Sequence, residues 1–417
     1  MPLRILQVVP TYLPATRYGG PIYSVHGLAE GLSKLSHDVH VFTTNVDGSK
    51  NSRVPLACPV DMDGVKVWYF PAGRPRRIFR SPALGKALAR MLPKFDLVHL
   101  HSVFLWPTWA AAVECRKHGV PYFVSPRGMM VKELVQRKSP LVKSAWIRFI
   151  ERTNLEHAAA IHVTADIEAA ELEKFGFSLP PVINIPNGVA KPSNVADDLI
   201  NTDVQKLCAR QPLILYLGRI NWKKNLLELV RAMSDVPCGH LGITGYDEDN
   251  HSRMLIDAAG SVGLERVTVL ARPMIGADKE ALLRACKVFV LPSLSENFGN
   301  TVLEAAIRGK PVVVSEGAGA ATLVREHQSG LVCLPTAKSI SLAIAEVLRN
   351  LDRATAMGER GRLAALRDYS WSAIARQMSA AYESTIARGT SRAGTGSGKS
   401  DFSHSDRGEI DLSSGVN

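Results

Sequence analysis

At 417 residues the chain is long for one core of ordinary size, while its 46% hydrophobic and 21% charged residues are those of a globular protein, not a fibrous or wholly disordered one. No apolar run approaches the roughly 20 residues that cross a bilayer. The six cysteines, Cys58, Cys115, Cys208, Cys238, Cys286 and Cys333, form no C-x-x-C pair, which argues against a disulfide framework or zinc module and fits free thiols in a reducing cytosol.

Read in chain order, short β-rich apolar runs alternate with helical spacing, the pattern of parallel sheets with crossover helices. Arg4–Val9 reads as a first strand; its apolar stretch is broken by Arg4, Gln7 and Pro10 and is too short for a signal peptide. A loop with Gly19-Gly20 follows, then a helix over Ser24–Leu35 with Val25, Leu28, Ala29 and Leu32 on one face. Strands are expected at Val39–Thr43, Val65–Phe70 and Leu97–His101, a helix at Thr108–His118, and strands at Tyr122–Ser125, Ala160–Thr164 and Val182–Ile185.

The rhythm restarts with a strand at Leu213–Leu217 and a helix at Leu226–Met233. Further strands fall at His240–Thr244, Val267–Leu270, Val288–Leu291 and Pro311–Ser315, with helices at His251–Val262, Lys279–Ala285 and Thr301–Arg308. The reading is α/β: two doubly wound Rossmann-like domains, 1–190 and 191–370, joined where Asn187-Gly188 and Pro192 interrupt the pattern. A helix over 371–388 is expected to cross back to the first domain, and the Gly-, Ser- and Thr-rich 389–417 to be disordered. Open α/β sheets bind ligands at their strand C-termini, so the cleft between the domains is the expected site.

Charge is uneven. The formal net charge is +11, and residues 1–190, with 23 Lys and Arg against 14 Asp and Glu, hold +9 of it. Arg74, Arg76, Arg77, Arg80, Lys86, Arg90 and Lys94 meet no acid before Asp96, and a second cluster runs through Lys132, Arg137, Lys138, Lys143, Arg148 and Arg152. Such stretches attract anionic lipid, nucleic acid or phosphorylated substrate, or are simply solvated faces.

The most informative stretch is Pro292-Ser-Leu-Ser-Glu-Asn-Phe-Gly-Asn-Thr-Val-Leu-Glu-Ala305. A strand ends, a polar loop with a glycine follows, and a helix starts near Asn300 or Thr301, offering amides to an anion. Glu296 and Glu304 are eight positions apart, ~12 Å for an all-helical spacer, about the reach of a sugar nucleotide from sugar to ribose. A second stretch, Tyr216-Leu-Gly-Arg-Ile-Asn-Trp-Lys-Lys-Asn225, places Arg219 and Lys224 after a strand, cations suited to charge that builds on a departing diphosphate.

In these motifs the chain resembles glycosyltransferase family 4, of the GT-B fold, in which two Rossmann-like domains face each other across a cleft. The resemblance spans about residues 1–388. It implies that Glu296 of an E-x7-E motif contacts the donor sugar and that Glu304 binds the ribose. It also implies that the Asn297, Phe298, Gly299, Asn300 and Thr301 segment holds phosphate and sugar groups, and that Gly19 and Gly20 pack near the donor phosphates. Arg219 and Lys224 take the family's cation positions, and Gly317-Ala-Gly-Ala-Ala321 its second Gly-rich loop. The implied activity is retaining hexosyl transfer from a UDP- or GDP-linked sugar. The implied acceptor is a saccharide or a polyprenyl-diphosphate-linked saccharide of bacterial polysaccharide assembly. No cofactor, metal or nucleic acid is called for, and a peripheral place at the inner membrane face is expected.

One position departs from the family. Where many members carry a histidine, this chain has Arg127, which cannot act as a base near neutral pH but suits a phosphate on acceptor or donor, with His101 close in the pattern. His99 and His101 alternate on one strand but lack further metal ligands at sensible spacing. Asp247-Glu248-Asp249 contains a formal D-x-D yet reads as a solvated loop. A sugar-nucleotide 2-epimerase of GT-B fold and a catalytically inactive binding subunit are the alternative readings.

Overall fold

Strands buried on both faces of a parallel sheet read as unbroken apolar runs. Val288–Leu291 (Val-Phe-Val-Leu) and Val312–Ser315 (Val-Val-Val-Ser) are of this kind, every residue buried. The structure, a computed structural model, describes residues 2–137, 140–194, 196–248, 250–261 and 265–394. Lys138, Asp249, Val262 and tail residues 395–417 lie outside the described residues.

The chain forms two compact units. The first draws on Met1–Val163, Glu168–Ile185 and Ile374–Asn417. Its strands are β1 (Arg4–Val8), β2 (Asp38–Thr44), the short hairpin β3 (Val46–Asp47) and β4 (Lys50–Asn51), β5 (Pro59–Met62), β6 (Val65–Phe70), β7 (Leu97–His101), β8 (Tyr122–Ser125), β9 (Ala160–Val163) and β10 (Val182–Asn184). Eight of them make one sheet in the order β10-β9-β8-β7-β1-β2-β6-β5, parallel except for β5 against β6. Its crossovers include α1 (Gly20–Lys34), α2 (Pro82–Met91), α3 (Trp106–His118), α4 (Lys132–Arg137), α5 (Pro140–Trp146), α6 (Arg152–Glu156) and α7 (Asp166–Glu173). Helix α1 starts four residues earlier than its apolar periodicity indicates, because Pro21 fits a first helical turn where its missing N–H costs nothing.

Helix α2 shows how sequence, packing and charge combine. The Ser81 hydroxyl caps it by accepting from the Leu84 amide, and Pro82 opens it. Leu84, Ala87, Leu88 and Met91 repeat at helical spacing and are buried, leaving Lys86 and Arg90 exposed.

The second unit draws on Thr164–Ile167 and Pro186–Ala373. Its sheet contains β11 (Leu213–Leu217), β12 (His240–Thr244), β13 (Val267–Leu270), β14 (Val288–Leu291), β15 (Val312–Ser315) and β16 (Gly330–Cys333), all parallel, in the order β13-β12-β11-β14-β15-β16. Its helices are α8 (Thr202–Cys208), α9 (Leu226–Ala232), α10 (His251–Ser261), α11 (Gly276–Ala285), α12 (Asn300–Ala306), α13 (Ala320–Glu326), α14 (Ala337–Arg349) and α15 (Leu351–Arg367). The strand order is that of a dinucleotide-binding sheet and reverses between β11 and β14, the crevice where such sheets hold ligands. Strand β16 escapes the sequence reading because Gly330 and Cys333 dilute its apolar signal; Gly330 is needed there, since a Cβ would come within 1.9 Å of the Val312 carbonyl oxygen.

The last helix, α16 (Trp371–Gly394), runs six residues past the expected end at Arg388. From Ile374 it belongs to the first unit, where Ser379 Oγ bonds His37 Nε2 at 2.8 Å and Tyr382 bonds His99. No described helix is long and apolar enough to cross a membrane.

Candidate active site

In the second unit, Arg219 and Lys224 follow β11 and Glu296 follows β14, on the two sides of the sheet's reversal point. Lys224 Nζ is in direct contact with Glu296 Oε2, so two residues 72 positions apart are brought together. Both side chains are mostly buried. Burial, with Arg219 and Lys223 close by, pushes the Lys224 ammonium well below the usual lysine range, and the Glu248 carboxylate opposes that shift.

The loops are held by their own backbones. The Leu294 amide donates to the Lys223 carbonyl at 2.8 Å, Glu296 N to Gly317 O at 3.0 Å, and Gly319 N to Glu296 O at 2.9 Å. The glycines of Gly317-Ala-Gly319 serve close approach: a Cβ on Gly319 would come within 2.1 Å of the Asn297 carbonyl oxygen. The spacer between Glu296 and Glu304 is not all helical. Only Asn300–Ala306 forms α12, entered through Gly299 at φ +101°, so the ~12 Å separation expected of a continuous helix does not apply. Phe298 is a core side chain, 4% exposed, so any ligand contact from it belongs to its backbone. Asn297 Nδ2 donates to Thr164 Oγ1 at 2.8 Å, and Asn300 Oδ1 accepts from Asn187 Nδ2 at 2.9 Å. Thr301 lies in the first turn of α12.

Arg219 and Glu304 do not join the Lys224–Glu296 pair. Arg219 Nη1 binds Glu248 Oε1 at 2.8 Å, and Glu304 Oε1 accepts from Lys279 at 3.0 Å. In the loop read as solvated, the described Asp247 and Glu248 are partly exposed and also bonded: Glu248 accepts from Asn221 Nδ2, and Asp247 caps α10 through the His251 and Ser252 amides. Glu248 and Lys279 escaped sequence reasoning because their partners lie 29 and 25 positions away on other elements.

In the first unit, Gly19 and Gly20 sit at the start of α1. Gly19 has φ +75° with open space around it, so conformation and not crowding calls for glycine. At the ends of β7, β8 and β9 a buried polar chain forms. His162 Nε2 lies 2.8 Å from the Ile185 carbonyl and so carries the proton; its Nδ1 accepts from Ser125 Oγ at 2.7 Å. Ser125 accepts from His99 Nε2 at 2.7 Å, and His99 Nδ1 accepts from Tyr382 Oη at 2.6 Å. His101 Nδ1 accepts from Arg127 Nη2 at 3.1 Å, and its Nε2 faces Gln7 Oε1 at 3.1 Å. Burial pushes His99 and His101 well below the usual histidine range and His162 down to about 3, with Arg127 acting in the same direction. Every ring nitrogen thus has a protein partner, and among the described residues no cluster of three His, Cys, Asp or Glu side chains is placed to hold a metal. Burial pushes the Arg127 guanidinium down to about 10, which leaves it charged at neutral pH. It stands at φ +55°, beside Gly128 at +71°, with the Gly128 amide held by Glu168 Oε1 at 2.7 Å. Non-glycine residues in this region are often found where backbone strain serves function.

Two family models match the chain: a glycosyl transferase 4-like domain over residues 19–188 and glycosyl transferases group 1 over 201–364. Glycogen synthase of Mycobacterium tuberculosis is 27% identical over 412 residues, covering 91% of this chain and 94% of that one. D-inositol 3-phosphate glycosyltransferase of Stackebrandtia nassauensis is 26% identical, covering 75% of each. Among solved structures, sucrose-phosphate synthase of Thermosynechococcus elongatus superposes with a TM-score of 0.68 at 22% identity, over 93% of this chain and 100% of that one. HepE of Anabaena, in complex with UDP and glucose, gives 0.69 at 17% identity, over 92% and 100%.

Proposed function

The chain belongs to the GT-B glycosyltransferases of the family 4 type, and on that premise we propose that it is a retaining, metal-independent enzyme. It moves a sugar from a UDP- or GDP-linked donor to a saccharide or lipid-linked saccharide in polysaccharide assembly. The observation that carries this reading is the meeting of Lys224 and Glu296 at the reversal point of the second sheet, with Arg219 on the same loop as Lys224.

Breaking the bond between sugar and nucleotide leaves negative charge on the diphosphate. Arg219 meets it with a planar fork of donors and Lys224 with a point charge, both positioned before the reaction. Glu296, an acceptor when ionised, takes hydroxyls of the donor sugar, and Glu304 those of the ribose. Front-face attack on the sugar needs no protein nucleophile. The UDP complex of HepE supports the donor class.

Arg127, charged and supported by neutral His101, suits an anionic group on the acceptor, such as a phosphate or a lipid-linked diphosphate. The exposed Arg77, Arg80, Lys86 and Arg90 suit the anionic inner face of a membrane. The apolar side of α2 plays no part in this, since Leu84, Leu88, Met91 and Leu92 are core residues. The test is incubation with UDP-, GDP- and ADP-sugars, following melting temperature and nucleotide release, with product anomers assigned by NMR. A donor raises the melting temperature and releases its nucleotide slowly even without acceptor. No shift and no release with any of them overturns the reading.

A further inference from the structure

Arg219 presents a problem of physics: its side chain is 53% exposed, and a long, exposed arginine is conformationally free unless something holds it. Glu248 holds it, with one carboxylate oxygen on Arg219 Nη1 at 2.8 Å and the other on Asn221 Nδ2 at 2.8 Å. Asn221 in turn caps the tight turn Trp222–Lys224 by accepting from the Lys223 amide at 3.1 Å. One carboxylate therefore reaches Arg219 directly and, through Asn221, the turn that carries Lys224.

Glu248 is itself fixed from both sides. Its amide donates to the Ile220 carbonyl at 2.9 Å, and the Ile220 amide to the Tyr246 carbonyl at 2.8 Å, so the loops after β11 and β12 run as a short parallel bridge. Gly245, at φ +144°, allows that approach, since a Cβ there would lie 1.8 Å from the Gly218 carbonyl oxygen. On the far side, Asp247 anchors the loop to α10.

We propose that Glu248 is the positioning residue of the diphosphate site, clamping Arg219 and the Lys224 turn in the arrangement that receives a nucleoside diphosphate. The proposal rests on the donor-site reading above. A guanidinium has five N–H donors, and the clamp engages it on one side. Pre-ordering raises affinity because less freedom is lost on binding.

The experiment measures, by calorimetry, UDP against uridine, GDP against guanosine and ADP against adenosine. The ratio of the two affinities for the best pair is the diphosphate increment. It is compared among wild type, Arg219→Ala, Glu248→Ala, Glu248→Gln and the double variant Arg219→Ala/Glu248→Ala. Glu248→Ala should lower the increment roughly tenfold, as expected for loss of a charge-assisted contact, with nucleoside affinity unchanged. Glu248→Gln, which keeps an acceptor for Arg219, should lose less. The double variant should lose little more than Arg219→Ala alone. An unchanged or increased increment in Glu248→Ala overturns the proposal, as does full additivity or an equal loss of nucleoside affinity, while an Arg219→Ala effect would leave the donor-site reading standing. An increment that Arg219→Ala does not move, or wild type that binds none of the nucleotides, overturns both.

Discussion

Tyr382, on the last helix, donates a 2.6 Å hydrogen bond to Nδ1 of His99, on the fourth strand in line of the first sheet, and both side chains are fully buried. The two are 283 positions apart. The bond ends a proton order that the Ile185 carbonyl sets at His162 and that Ser125 passes to His99. Tyr382→Phe leaves a buried imidazole nitrogen without its donor, so we expect a loss of about 1–3 kcal/mol in stability, read from urea denaturation. An unchanged midpoint would show that the hydroxyl contributes nothing.

The same chain makes the fold sensitive to acid. His99, His101 and His162 are held neutral in the folded state, His162 down to about 3, whereas in the unfolded chain they take up protons below about 6.5. The unfolded state then binds more protons, so stability is complete above neutral pH and falls as pH drops from about 6.5 toward 3, by up to about 1.4 kcal/mol per pH unit for each histidine. Denaturation midpoints at a series of pH values check this. His162→Gln should flatten the slope, and an identical slope would assign the acid sensitivity elsewhere.

Glu304→Ala should weaken nucleotide binding by about 1.5–3 kcal/mol, the worth of a hydrogen bond to a charged group. The loss should be confined to ribonucleotides: calorimetry with UDP and with 2′,3′-dideoxy-UDP should show the wild-type preference for the ribose vanish in the variant. Equal affinity of wild type for both ligands would remove the ribose from Glu304.

Turnover should survive EDTA, because Arg219 and Lys224 meet the charge on the leaving group. Asp247, the described acid of the D-x-D pattern, is occupied as the cap of α10. Complete loss of nucleotide release in EDTA, restored by manganese or magnesium, would contradict the metal-independent reading.

The basic face predicts salt-sensitive flotation with anionic liposomes. Changing Arg77, Arg80, Lys86 and Arg90 to Ser should abolish it, each cation near the surface being worth ~1 kcal/mol. Arg76 is left out of this set because its guanidinium binds the Gly48 carbonyl at 3.2 Å and Asn51 Oδ1 at 2.7 Å, a structural use. Equal recovery with neutral and anionic vesicles would reduce the face to solvated charge.

Sequence alone determined the alternation of strands and helices. Apolar runs such as Val288–Leu291 and the periodicity of α1, with Val25, Leu28, Ala29 and Leu32 buried, are local signals, set by what each segment must bury. It also determined the residue types of the donor motifs, because charge on a diphosphate and hydroxyls on a sugar demand cations and carboxylates wherever the chain folds. What only the tertiary structure decided is which of these groups meet. Strand order placed Lys224 against Glu296, sent Arg219 to Glu248 and Glu304 to Lys279, and turned the apolar stripe of α2 inward. It also drew His99, Ser125, His162 and Tyr382 from four separate elements into one proton-ordered chain. The reason is physical: a local pattern fixes the direction of a side chain relative to its own strand or helix, but a hydrogen bond or ion pair depends on distances of about 3 Å between segments. Those distances exist only once the sheet order has been set by long-range packing.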